Sequence, residues 1–392
     1  MGGLQDAAPV RCVVGFGILM AMVGIAAVDA ADSQGVPPSR VARLAQGINV
    51  TGWLIYGGRG TPPLSERLSD KDLDLIQAIG FKHLRIPIDW SRIHDSNSAD
   101  LLNAECVRRL DEAAEMLAKR GLAMIVDLHH IRLEGEQSNY SGPLQSDPKF
   151  VDMFITFWGN LAKRLSQHNP EYLFLEPMNE PTFVGMTDKW LPIQERLVSE
   201  IRKNAPQHTI LATSAQWSNL STFLKLEPLS DPNIVYNFHF YEPFPFTHQG
   251  ATWSSDWVKP LRKVAYPSSP ESVESAIAAV DNETAKRNLR QYGKERWDAA
   301  RIEARIAEAA EWAKKRGVAV TCNEFGVYRN YSPPADAVQW HKDLCSAFAR
   351  HNIGWSKWEL EGGFGFFTRE NGKLVADPAL TRAMGLNADA AR

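Results

Sequence analysis

"YLFLEPMNE", residues 172–180, is an apolar, strand-like run that carries two glutamates four residues apart, Glu176 and Glu180. Asn179 stands before the second and Pro181 closes the run. A buried carboxylate is costly unless paired, so each glutamate needs a partner or a task. In a strand side chains alternate, which puts Glu176 and Glu180 on one face. Seven runs of the same kind flank this one: "QGINVTG" (46–52), "KHLRIPI" (82–88), "LAMIVDLH" (122–129), "HTILATS" (208–214), "IVYNFHFY" (234–241), "VAVTCNEF" (318–325) and "IGWSKWEL" (353–360). Segments of helical period separate them, such as 103–121 and 300–317, which end in basic residues and Gly121 or Gly317. "AIG", ending at Gly80, is a similar stop. Eight strands alternating with helices imply an α/β fold with eight parallel strands, a single-domain (β/α)8 TIM barrel. An open doubly wound sheet is the runner-up, but no G-x-G-x-x-G follows the first strand.

The rest of the chain agrees with one large domain. Of 392 residues, 44% are hydrophobic and 23% charged, enough for a packed core. The net charge of −3 and the lack of a basic run exclude nucleic acid as a partner. Twelve tryptophans exceed ordinary core needs and suit a surface that stacks on flat rings. Residues 1–30 read as a secretory signal peptide: an apolar stretch at 12–28 follows Arg11, and "VDA" ends at Ala30. An uncleaved anchor is the alternative reading. Residues 31–44 form a polar lead-in and 45–392 the barrel. The expected protein is secreted or periplasmic, monomeric, and free of the membrane after cleavage. Beyond the signal, Cys106, Cys322 and Cys345 have no metal-site spacing and read as buried free thiols.

In this fold the working residues sit at the C-terminal ends of strands. Polar residues gather there: Arg85 on strand 2, Asp127, His129 and His130 on strand 3, Asn179 and Glu180 on strand 4, His239 and Tyr241 on strand 6, Asn323 and Glu324 on strand 7, and Trp358 on strand 8. Glu180 and Glu324, from different strand ends, face each other across the mouth. Glycoside hydrolysis needs such a pair, one to protonate the leaving oxygen and one to attack the anomeric carbon or activate water. Arg85 holds one carboxylate ionised, and desolvation keeps the other protonated. Asn179, His129, His239 and Tyr241 are hydrogen-bonding groups for sugar hydroxyls and for orienting the carboxylates. Trp358 offers a flat face to a pyranose ring, with Trp355 as the alternative. Glu176 lies roughly 13 Å deeper along an extended strand and is expected to pair with Arg85.

Residues 45–370 resemble glycoside hydrolase family 5, the cellulase family whose two catalytic glutamates end strands 4 and 7. "RIPIDW" is similar to its strand-2 motif with Arg85, "DLHH" to its strand-3 motif with His129, and "MNEP" to its acid/base motif with Asn179 and Glu180. "FHFYEP" supplies His239 and Tyr241, "NEFG" the nucleophile Glu324, and "WSKWELEGGFG" the stacking Trp358. The resemblance implies a retaining endo-β-glycosidase acting on β-1,4-glucan through a glycosyl-Glu324 intermediate, with carboxyls about 5–5.5 Å apart. It implies no cofactor and no metal. β-Mannan, xyloglucan and β-1,3-glucan are alternative substrates under the same mechanism. Lys357 departs from the pattern, since an aromatic residue is common there in similar sequences.

Two readings of other classes stay on the page. A non-catalytic carbohydrate-binding barrel would have lost a catalytic glutamate. A metal-dependent hydrolase would need clustered ligands, and adjacent His129 and His130 point to opposite strand faces. After strand 6, Phe244, Phe246, His248, Trp253 and Trp257 either build sugar subsites or pack the loop on itself. Trp53, Tyr56, Trp90 and Trp217 carry the same two readings.

Overall fold

Eight parallel strands close into a barrel in chain order: β1 (Gln46–Asn49), β2 (His83–Asp89), β3 (Ala123–His130), β4 (Leu173–Glu176), β5 (Thr209–Thr213), β6 (Ile234–Phe240), β7 (Ala319–Phe325) and β8 (Gly354–Lys357). The structure is a computed structural model that describes residues 1–2, 35–57, 60–131 and 141–391. Apart from Met1 and Gly2, the predicted signal peptide lies outside the described residues. Among the described residues, no helix is long and apolar enough to cross a membrane.

Long amphipathic helices connect most strands, as the periodicity predicts. Ala299–Arg316 buries Ile302, Ile306, Ala309 and Trp312, and ends at Gly317 with φ of 66°, a left-handed cap that glycine adopts without a Cβ penalty. The crossover after β5 is shorter than expected, with one helical turn, Leu220–Phe223. The excursion from β6 to β7 holds the turn Phe244–Thr247 and the helices Glu274–Ala278, Glu283–Glu295 and Ala299–Arg316. β1, β4 and β8 stop several residues short of the predicted runs, because their mouth-side residues turn out of the ladder to build the rim.

The inward face changes character with height. Near the strand starts, Ala123, Ile125, Phe174, Leu211 and Val235 form an apolar cluster with Leu44. One or two inward positions higher come Asp127, Glu176, Asn237 and His239, all buried. The apolar layer seals the base of the barrel, and the polar layer above it is the site. Part of the presumed lead-in belongs to that seal. Pro38–Arg43 is a helix, and its buried Arg40 donates from Nε to Glu171 Oε1 (2.9 Å) and from Nη1 to Thr209 Oγ1 (3.2 Å) and the Gln207 carbonyl. Cys106, Cys322 and Cys345 are buried free thiols, as expected.

Arg40→Ala leaves those acceptors under the barrel without their donor. Losing hydrogen bonds to a buried charged group predicts a drop of about 2–3 kcal/mol in unfolding free energy, read from urea denaturation. An unchanged midpoint would show that the helix Pro38–Arg43 does not brace the barrel.

Candidate active site

The polar layer is organised around Arg85, which β2 places in the barrel interior with no solvent exposure of its side chain. Every nitrogen of its guanidinium is engaged. Nε and Nη2 grip Glu176 as a fork, at 2.8 and 2.9 Å. Nη1 donates to Asn49 Oδ1 and to Glu324 Oε1, both at 2.8 Å. Nη2 also reaches Asn179 Oδ1 at 2.7 Å and lies 3.0 Å from Asp127 Oδ2. Glu176 accepts further bonds from Asn237 Nδ2 (2.9 Å) and Asn323 Nδ2 (3.1 Å), so four donors converge on it. The expected pairing of Glu176 with Arg85 is therefore present.

The two mouth carboxylates are wired differently. Glu324 receives Arg85 Nη1 and the Tyr241 hydroxyl (3.0 Å), and His239 Nδ1 stands 3.7 Å away. Glu180 is held by His239 Nδ1 at 2.8 Å and keeps part of its side chain in solvent. Burial raises both above the usual carboxylate range, Glu324 to about 7 and Glu180 to about 8. For both, the Arg85 charge opposes the shift, and Glu324 bonds to that guanidinium directly whereas Glu180 does not. Of the pair, Glu180 holds its proton to the higher pH. Burial lowers His239 to about 4, so its imidazole is neutral near pH 7. Burial and then the Glu324 charge hold the Tyr241 hydroxyl protonated. One ligand atom each from Glu180, His239 and Glu324 lie within 4.8 Å of one another, a geometry that could also hold a cation.

A cleft of about 1120 Å³ opens over the pair. Among the described residues, the strongly exposed aromatics Tyr56, Trp217, Phe244 and Trp253 all line it. Apolar rings left in water along one groove mark a binding surface rather than spare core. Trp358 forms its floor, stacked on His129 with centroids 5.1 Å apart and planes 11° from parallel. Trp355 instead packs edge-on against Phe81 and Phe325, away from the cleft.

Residues 57–363 match the family model described as Cellulase (glycosyl hydrolase family 5). The chain belongs to glycosyl hydrolase family 5. It is 29% identical to endoglucanase 3 of Fibrobacter succinogenes over 88% of this chain and 53% of that protein, so it spans about half of that relative's length. It is 28% identical to cellodextrinase A of Ruminococcus flavefaciens, covering 79% of this chain and 83% of the other. Endoglucanase C of Acetivibrio thermocellus is 27% identical over 80% of this chain and 90% of its own. A hyperthermophilic endo-beta-1,4-glucanase solved with substrate has the same fold, with TM-score 0.69 and 24% identity, covering 88% of this chain and 98% of that one. Thermotoga maritima Cel5A solved with mannotriose also shares it, with TM-score 0.69 and 23% identity over 89% of this chain and 100% of that one.

Within this family 5 barrel, His129, Glu180, His239, Tyr241, Glu324 and Trp358 line the cleft, and Arg85 and Asn179, buried and hydrogen-bonded to each other, join the same cluster. Arg85, Asn179, Glu324 and Tyr241 share hydrogen bonds, as do His239 and Glu180. His129 Nδ1 meets Asp127 Oδ2 at 2.7 Å. Regular strand geometry breaks in several places. β4 ends at Glu176, so the chain bends and Asn179 and Glu180, though adjacent, both serve the site. Arg85 touches Glu176 and Asn179 at once, which rules out an extended segment between Glu176 and the mouth. A register shift at Phe238/His239 pairs His239 with Glu324, and adjacent Asn323 and Glu324 both turn inward. Such bulges re-aim side chains. A similar shift beside β3 accompanies His129 and His130, whose rings lie 4.6 Å apart rather than on opposed faces. Of the loop aromatics, Phe244, His248 and Trp253 line the cleft, while Phe246 is buried against Tyr266. Trp53 and Trp90 are core; Tyr56 and Trp217 are cleft. Sequence reasoning missed Asn49 and Asn237. The available signal was an asparagine inside each of two otherwise apolar strand runs.

Glu176→Gln puts an amide donor where four donors already converge. Breaking a buried ion pair of this kind predicts a loss of about 3 kcal/mol, measured by urea unfolding. Hydrolysis should fall less than in Glu180→Gln. Full loss of activity at native stability would give Glu176 a chemical role instead.

Proposed function

We infer that this family 5 chain is an endo-acting β-1,4-glucan hydrolase that retains anomeric configuration. The observation that carries the mechanism is the approach of Glu180 and Glu324, with one oxygen of each within 4.8 Å of the other. Retaining glycosidases hold their carboxyls about 5–5.5 Å apart, and inverting ones about 6.5–9.5 Å to admit a water. In the first step Glu324 attacks the anomeric carbon, the glycosidic C–O bond breaks, and Glu180 gives its proton to the leaving oxygen. In the second, Glu180 takes a proton from water, which displaces Glu324 from the sugar. Arg85 and the Tyr241 hydroxyl keep Glu324 aimed and ionised. Neutral His239 orients Glu180, and Asn179 and His129 are placed to bond sugar hydroxyls. Trp358 is the stacking floor beneath the reacting ring.

The choice of β-1,4-glucan rests on relatives named endoglucanase and cellodextrinase at 27–29% identity. A groove lined by several exposed aromatic rings, Tyr56, Trp217, Phe244 and Trp253, beside the acid pair suits cleavage within a chain. Secretion is part of this reading and rests on the apolar stretch at 12–28 after Arg11.

Proton NMR of the first product tests the mechanism: the β-anomer should appear before mutarotation, and an α-anomer appearing first would overturn it. Glu324→Gln should abolish hydrolysis while still binding cellotetraose, and Glu180→Gln should slow it about 10²–10⁴-fold. On a panel of soluble polysaccharides, β-1,4-glucan should be cleaved fastest; faster cleavage of β-mannan, xyloglucan or β-1,3-glucan would reassign the substrate.

The pH dependence of kcat/KM should be bell-shaped. The nucleophile must be ionised, so the rate falls as pH drops through the lower value of the pair, about 7 for Glu324. The acid must be protonated, so it falls again as pH rises through about 8, the Glu180 value. Because the two carboxylates interact, both limbs belong to the pair. In Glu180→Gln the alkaline limb should disappear, and its persistence would assign that limb to another group.

A further inference from the structure

β8 carries a charged side chain that the reaction leaves unused. Lys357 is 1% exposed. Next to Ser356 and on the side of Trp355, it lies on the outer face of β8, toward the helix Pro334–His351. Its ammonium reaches up beneath the cleft floor. Nζ donates to the Phe364 carbonyl at 2.7 Å and to the carbonyl of Trp358. Gly326 makes the room: a Cβ there would stand 2.9 Å from Lys357 Nζ and 2.6 Å from the Trp358 oxygen. The charged and titratable groups around it are Glu359 on its own segment, Arg329 after β7, and Cys345 and His341 on the helix. Desolvation outweighs the help from Glu359 and brings Lys357 down to about 7. An aliphatic side chain would fill this space without that cost.

The two carbonyls it joins bracket the segment that walls one side of the cleft, where Trp358, Glu359, Gly363 and Phe364 line the groove. Other ties hold the base of the same segment: Phe366 N–H to the Glu359 carbonyl and Arg329 N–H to the Gly363 carbonyl, each at 2.8 Å. Lys357 adds a side-chain cross-tie from beneath, between the Trp358 and Phe364 carbonyls.

We propose that Lys357 is a positioning residue for ligand recognition: by tying the Trp358 and Phe364 carbonyls together from beneath, it fixes the Trp358–Phe364 wall in the shape that receives a sugar chain. The ligand half of this proposal rests on reading the cleft as a saccharide site; the cross-tie itself does not. Lys357→Met keeps the length and volume of the side chain and removes the donors.

Two readouts separate the parts. In the free protein, hydrogen–deuterium exchange over residues 355–367 should speed up at least about tenfold in Lys357→Met, with little change elsewhere. Unchanged protection overturns the cross-tie whatever the substrate proves to be. In the Glu324→Gln background, Lys357→Met should weaken calorimetric binding of cellotetraose about tenfold at unchanged stoichiometry, as expected when a contact surface is displaced. If the polysaccharide panel selects mannan, mannotetraose takes its place. In the active enzyme KM should rise while kcat stays within about threefold. A merely structural role would lower the melting temperature and the fraction of competent sites at constant dissociation constant, and that result overturns the proposal. Should Lys357→Met not fold, Lys357→Gln, whose amide falls an atom short of both carbonyls, carries the same two tests.

Discussion

The structure depends on one guanidinium that serves several acids. Arg85 contacts Asp127, Glu176 and Glu324 directly, and Glu180 stands just beyond it. With all four carboxylates ionised, one buried positive charge would face four negative ones in an interior that screens poorly. The cluster must keep protons, and the wiring decides where. Glu176 takes a two-pronged grip from Arg85 and two asparagine amides, which favours its charged form against the burial that raises it. Glu324 takes one Arg85 nitrogen and Tyr241. Glu180 takes only a neutral imidazole. The proton therefore settles at the mouth, on the carboxyl that a substrate meets first.

That arrangement needs a rigid frame, and the barrel supplies it by dividing its interior by height. The lower inward positions are apolar and closed beneath by the helix Pro38–Arg43, so the base provides hydrophobic stability. The upper positions give up apolar packing for buried polar groups that bond to one another around Arg85 and Glu176. A densely bonded polar network fixes side-chain positions more tightly than dispersion alone, because a small displacement leaves donors and carboxylates unpaired. The cost of burying charge is thereby converted into placement of Glu324 and Asn179.

Much of this is legible in the sequence, for a physical reason. An apolar strand run interrupted by a charged residue states both its environment and its function, as with Arg85, Asp127 and Glu176. Glu176 is the clearest case: a carboxylate too deep for solvent must have a cationic partner, and Arg85 was the inward-facing cation at hand. The failures share one cause. Alternation is a rule for regular ladders, and Asn179 with Glu180, Asn323 with Glu324, and His129 with His130 all sit where the ladder breaks or shifts register. Those breaks depend on pairing between strands far apart in sequence, so local periodicity does not contain them. Asn49 and Asn237 escaped because a single asparagine in a strand has no meaning until the Arg85 and Glu176 side chains it meets are placed.

The same wiring has a consequence for the proposed double displacement. In the first step Glu324 loses its charge as it bonds to the sugar, and Glu180 becomes charged as it gives up its proton. The number of negative charges around Arg85 is the same before and after, so the fixed dipoles and the guanidinium need not reorganise during the step. The change lies in how the acids see one another. A charged Glu180 disfavours ionisation of Glu324, and the converse holds by reciprocity of the pair. Once Glu324 is esterified that repulsion is gone, and Glu180 is left ionised beside the site where water must enter. The group that was the stronger holder of a proton becomes the base for the second step.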